Sequence, residues 1–241
     1  MSGLSRFLPN LLLAIVAVSV VLLALMLRGT TQALAAHYYA TMCVLGWIVL
    51  RGNRGLRFAA ALQSIPLPPL LRAVLLGYAA VVFEETLVGS FYALNQGFTP
   101  AIWVRAVRQF ISFNLLAFTG AILGLTVALR LLPGLSRWHL LVAGVWGLFA
   151  ERSYLIFLGN PLAGLIVAGP NVAVYSIILA TIVLSMPDHD DAAGRGRAPW
   201  APLVAWALMF ALSLPAVLML LHLRHSYPAA FPDCDSIACD P

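Results

Sequence analysis

Glu84 and Glu85 stand side by side in an apolar run, GYAAVVFEETLVGSFYALNQ, that extends from Gly77 to Gln96. About twenty helical residues at 1.5 Å each cross a hydrocarbon core of roughly 30 Å, which puts the pair near the midplane. A single charge at that depth costs at least about 2.5 kcal/mol. Two in succession imply a polar site inside a helix bundle. Adjacent carboxyls can share a proton, which suits general acid–base catalysis and suits proton-coupled transport equally well.

Residues three, four and seven apart share a helix face, so the spacing predicts what accompanies the pair. The face of Glu85 reads Tyr78, Gly89, Tyr92 and Gln96, while Glu84 lies about 100° away among Gly77, Ala80 and Phe91. Farther along, Gly144, Gly147, Glu151 and Tyr154 form one stripe; Asn160, Gly164, Asn171 and Tyr175 form another. Arg105, Gln109, Ser112 and Thr119 make a third, with Asn114 beside it. The expected pocket brings Glu84 or Glu85 together with Glu151, Asn114 and Asn171. Arg108 or Arg152 supplies a counter-charge there, and Tyr92, Arg108, Tyr154 and Tyr175 offer contacts to a substrate. The competing reading has the same groups holding helices together as interhelical hydrogen bonds and ion pairs.

Several chemistries are absent. All fourteen basic Lys or Arg side chains are arginine, so no Schiff-base lysine exists. No His-Glu-x-x-His helix is found, and no aspartate lies within an apolar run. Ser90 and Ser153 lack a Gly-x-Ser-x-Gly context. His37, His139, His189, His222 and His225 fall at the edges of the apolar runs or in a polar loop, where histidines are solvated, so no metal site is expected. The pattern names no cofactor.

The elements that position these residues are membrane spans. The chain is 62% hydrophobic and 10% charged, with mean hydropathy +0.94; soluble domains carry about 25% charged residues. The 241 residues form one all-α domain, a polytopic bundle of about seven transmembrane helices over residues 1–223, followed by a tail over 224–241. Phe7 to Leu27 is the first span, too long for the apolar core of a signal peptide although Ala33-Leu34-Ala35 resembles a cleavage site. Ala33 to Leu50 is the second. A basic, proline-broken loop with Arg51, Arg54, Arg57 and Arg72 precedes the Glu-Glu helix. Thr99-Pro100 and Asn160-Pro161 are cap-and-proline signals that open the fourth and sixth spans. Trp138 to Leu158 is the fifth, Gly169-Pro170 interrupts the sixth, and Ala201 to Leu223 is the seventh, with Pro215 inside it. The break at Gly169-Pro170-Asn171 reads either as unwound backbone lining a cavity or as a plain proline kink. Arg6, Arg51, Arg54, Arg57, Arg72, Arg130, Arg137, Arg195 and Arg197 gather on one side, which makes it the cytoplasm. The N-terminus is then cytoplasmic and the C-terminus extracytoplasmic, where Cys234 and Cys239 could close a short disulfide. The net charge of +5 is accounted for by orientation and anionic headgroups, not by nucleic acid.

The third to fifth spans resemble the glutamate-dependent intramembrane proteases of the CAAX-processing and bacteriocin-immunity (CPBP) type and, more loosely, the PrsW type. Glu84-Glu85-Thr86-Leu87-Val88-Gly89 occupies the place of the family's Glu-Glu-x-x-x-Arg, with glycine for arginine. Phe110 to Asn114 is similar to its Phe-x-x-x-His, with asparagine for histidine. Gly120, Gly124 and Arg130 follow as the family's Gly-rich stretch and arginine do, and Gly147 to Glu151 stands where the last motif, His-x-x-x-Asn, would be. Gly147-Leu148-Phe149-Ala150-Glu151 also resembles a PrsW segment ending in Phe-Ala near a glutamate. The resemblance implies an intramembrane peptidase, or a silent relative, in which Glu84 or Glu85 activates water, Glu151 is the second acid–base group, and Asn114 with Asn171 positions a carbonyl. The expected partners are membrane lipids and a membrane protein or peptide substrate, in a bacterial or archaeal cytoplasmic membrane. Two other functions fit the same residues: a proton- or cation-coupled transporter or channel, and an assembly subunit that binds membrane proteins through its glycine faces.

Overall fold

The computed structural model describes residues 4–28, 33–50, 52–132, 139–151, 153–186 and 200–228. Arg152, the loop with Asp188, Asp190 and Asp191, and Cys234 with Cys239 lie outside the described residues. Among those described every element is helical: α1 (Leu4–Leu27), α2 (Ala33–Leu50), α3 (Gly52–Gln63), α4 (Pro69–Asn95), α5 (Pro100–Leu131), α6 (His139–Ala150), α7 (Ser153–Gly159), α8 (Pro161–Ser185) and α9 (Ala201–Ser226). Four of them, α4, α5, α8 and α9, are long and apolar enough to cross a membrane. This is the character of a multi-pass helical membrane protein.

The start signals behave as their chemistry predicts. Thr99 accepts a hydrogen bond from the Ile102 amide at 3.2 Å, and Asn160 accepts one from Ala163 at 3.1 Å, each followed by proline in the first turn. Other boundaries differ from expectation. The arginine-bearing segment after α2 is largely helix, because Gly55, Ala59 and Leu62 share a face and bury it. The sixth span is not interrupted: α8 runs through Gly169-Pro170 as one helix. An interruption lies instead between α6, which ends at Ala150, and α7, which begins at Ser153, with Glu151 in a turn.

α4 and α8 lie at the centre. α4 packs against α2, α5 and α8; α8 also meets α1, α3, α6 and α7. α5 and α9 pair through glycines, for a Cβ at Gly120 or Gly124 would land on the α9 backbone at Ser213 or Met209. Gly144 and Gly147 bring α6 onto α8, against Val172 with Ser176 and against the Tyr175 ring. These two glycines, offered by the sequence as a docking face for other proteins, are therefore consumed by packing within the chain.

The two ends of the bundle are packed differently. At the end where α3, the start of α4 and the end of α8 meet, α5 is densely buried from Phe118 to Leu129, and α8 from Pro170 onward. There Ile122, Leu125, Ile178, Leu179 and Ile182 form the core with Val81 and Met209. Arg72, 7% exposed, fastens this end by donating to the carbonyls of Ser185 (2.8 Å), Gln63 (2.7 Å) and Ile65 (3.1 Å). Toward the other end no α5 residue between Ala106 and Phe118 is buried, and on α8 before Pro170 only Gly164 is.

Candidate functional site

Successive residues on a helix point about 100° apart, so both can be buried only where the helix is covered on more than one side. α4 meets that condition: Glu84 is 5% exposed and Glu85 2%. Glu84 faces α2 and accepts a hydrogen bond from the Tyr38 hydroxyl. Glu85 lies against the Glu84 carboxyl and against the Asn114 amide of α5. One oxygen of each, Glu84 Oε2 and Glu85 Oε2, is buried with no hydrogen-bond partner among the described residues. A buried polar atom left unmatched costs about 1–3 kcal/mol.

Two further groups adjoin the pair. The Tyr39 hydroxyl, next to Tyr38 with ring centroids 5.1 Å apart, donates to Asn171 Oδ1 at 2.6 Å. Asn171, 1% exposed, donates through its amide to the Ser153 hydroxyl at the start of α7. One turn along α8 the Tyr175 hydroxyl donates to Glu151. The Tyr175 ring is clamped by Phe118, parallel to it at 5.3 Å, and by Trp146 at 5.8 Å. Glu151 sits in the turn between α6 and α7. Contacts run from Glu84 through Tyr38 and Tyr39 to Asn171, and one turn along α8 from Tyr175 to Glu151, so the carboxylates of α4 and of the α6–α7 turn border one network.

The structure thus brings together Glu84, Glu85, Glu151, Asn114, Asn171 and Tyr175. Arg108 is exposed on α5, and Arg152, the other expected counter-charge, lies outside the described residues. Among the described residues the polar partners of the cluster are hydroxyl and amide donors. Tyr154 is also elsewhere, exposed and stacked on Phe149 at 5.5 Å. Tyr92 lies two turns beyond Glu85 on α4, with its ring edge-on to Phe110 at 5.7 Å. Sequence reasoning missed Tyr38 and Tyr39, and set Ser153 aside for want of a nucleophile motif. The adjacent tyrosines near the start of an apolar run were the available signal, since a buried hydroxyl needs a partner.

The cluster sits at the boundary between the two ends of the bundle. Phe118, Val174 and Ile178 close it on the packed side. Half-buried Ile111 to Ala117 of α5 and the exposed α7 residues lie on the other. No group of three or more His, Cys, Asp or Glu side chains that could hold a metal ion is present among the described residues. Compared with protein-family models, with curated proteins and with solved structures, the chain matches none.

Proposed function

We propose that this chain is a membrane-embedded hydrolase that uses Glu84 and Glu85 to activate water for cleavage of a peptide bond, in the manner of the glutamate-dependent intramembrane proteases it resembles. The observation that carries this reading is the pair of partnerless buried oxygens, Glu84 Oε2 and Glu85 Oε2, beside the Asn114 amide. Water seated on one carboxylate gives up a proton to it as the water oxygen attacks the scissile carbonyl. The Asn114 amide donates to the resulting oxyanion. The neighbouring carboxylic acid then protonates the departing amine as the C–N bond breaks. Positioned acid–base groups of this kind contribute about 10²–10⁴-fold. Glu151, held by the Tyr175 hydroxyl, is the second acid–base group of the cluster.

The reading includes seven spans: α1, α2, α4, α5, α6 with α7, α8 and α9. Their ends alternate, with α3 and the Arg72 clamp at one face of the membrane. Arginine placement makes that face cytoplasmic, so the N-terminus is inside and the open half of the bundle faces outward. The test is replacement in living cells. Glu84→Gln should cause an uncleaved membrane substrate to accumulate, detected by comparing membrane peptides; an unchanged peptide inventory rejects the proposal. A second reading, proton-coupled transport, draws on one observation, that contacts through Tyr38, Tyr39 and the Asn171–Tyr175 stripe of α8 run from the Glu84–Glu85 pair to Glu151. It requires proton flux in liposomes that Glu85→Gln abolishes.

A further inference from the structure

α3 is not a span. It is twelve residues long, which at 1.5 Å each is about 18 Å, and it connects the end of α2 to the short turn before α4. Ala59 and Leu62 fix one face against Ala180 and Leu184 of α8, with Phe58 alongside, and Gly55 on the same face lies against the Leu50 carbonyl of α2. The opposite arc carries Asn53, Arg54, Leu56, Arg57, Ala60 and Ala61, all exposed. Arg54 and Arg57 are i, i+3 neighbours on that arc, and α3 contains no acidic residue. Its position along the membrane normal follows from its attachments. Gln63 Nε2 donates to the carbonyls of Leu184 and Met186, both at 3.0 Å, where α8 leaves its apolar stretch, and Arg72 donates to the Gln63 carbonyl. A short helix with an apolar face on the bundle and cations on the other, held where the spans end, lies in the headgroup layer.

From this we infer that α3 is a binding surface for anionic phospholipid, with Arg54 and Arg57 receiving headgroup phosphates of the surrounding leaflet. The inference depends on the chain spanning a membrane and is independent of the hydrolase reading. Each basic residue near an anionic surface is worth about 1 kcal/mol, a factor of about five, so the pair favours the contact up to roughly thirtyfold at low salt. Salt should erode most of this, since exposed charges are screened over about 10 Å at 0.1 M and about 3 Å at 1 M.

The experiment is hydrogen–deuterium exchange of the full chain in nanodiscs of phosphatidylcholine, alone or with phosphatidylglycerol. Amides of residues 52–63 should exchange about tenfold more slowly, or slower still, in the anionic discs at low salt. That slowing should vanish in Arg54→Gln with Arg57→Gln and persist in the corresponding double lysine variant. Equal exchange in both bilayers for the unaltered chain overturns the inference, as does slowing that survives the glutamine substitutions. If inorganic phosphate in phosphatidylcholine discs slows the segment as much as phosphatidylglycerol does, the lipid assignment also fails.

Discussion

Replacing either buried glutamate by glutamine should separate reactivity from stability. Glu84→Gln preserves volume and keeps an oxygen able to accept from Tyr38. What it removes is Oε2, which has no partner among the described residues. The bond from Tyr38 is kept, and the new amide can donate to the adjacent Glu85 carboxyl. The same holds for Glu85→Gln, whose Oε2 is equally unmatched. Relief of one unsatisfied buried atom is worth about 1–3 kcal/mol, so both variants should be as stable as the parent or more so. For a protein of this size each kcal/mol corresponds to about 2–4 °C in melting temperature. Thermal unfolding in nanodiscs, followed by tryptophan fluorescence, should therefore show unchanged or higher midpoints, while peptide hydrolysis falls by at least about 10²-fold. If both variants melt more than about 5 °C lower and keep their activity, the carboxylates serve as interhelical ties and the argument from their open oxygens is wrong.

Three other perturbations probe the arrangement. Tyr38→Phe takes away the donor to Glu84 and should lower stability by about 1 kcal/mol in the same melt, together with activity. Gly120→Val and Gly124→Val push a side chain into the α9 backbone and should destabilise by about 3 kcal/mol or more, visible as a lower midpoint or loss of folded protein. Arg108→Gln and Tyr154→Phe alter exposed side chains; stability should shift by no more than about 0.5 kcal/mol and hydrolysis should be unchanged.

Which parts of this were legible depended on whether the signal was local. Thr99-Pro100 and Asn160-Pro161 declare helix starts because a cap and a proline act within one turn. The glutamates and asparagines announced themselves by their cost in an apolar run. α3 was misread because its arginines dominated the segment, although Gly55, Ala59 and Leu62 carry a helical period. Glu151 gave no warning of a break, having neither glycine nor proline beside it. Pro170 gave a false one: a helix packed on several sides can hold a proline in place, and Pro170 is fully buried. Arg108 or Arg152 was offered as the counter-charge; Arg108 is exposed on α5 and Arg152 lies outside the described residues.

α8 shows how the packed end of the bundle determines the geometry of the site. Asn171 and Tyr175 are four residues apart and therefore share a stripe, which continues through Ile178 and Ile182 into the apolar core. The same stripe is polar at one end and hydrocarbon at the other. Rotation of α8 that released Tyr39 from Asn171 would also release Glu151 from Tyr175 and withdraw Ile178 and Ile182 from Ile122 and Val81. Burial of such side chains is worth about 1.5–3 kcal/mol each, whereas polar contacts between membrane helices average about 0.6 kcal/mol. Within a membrane the burial term shrinks toward close packing alone, yet the contacts of two isoleucines still outweigh the two hydrogen bonds released with them. The polar groups are accordingly held in place by the core rather than by one another, and the site can lose or exchange protons without loss of its geometry.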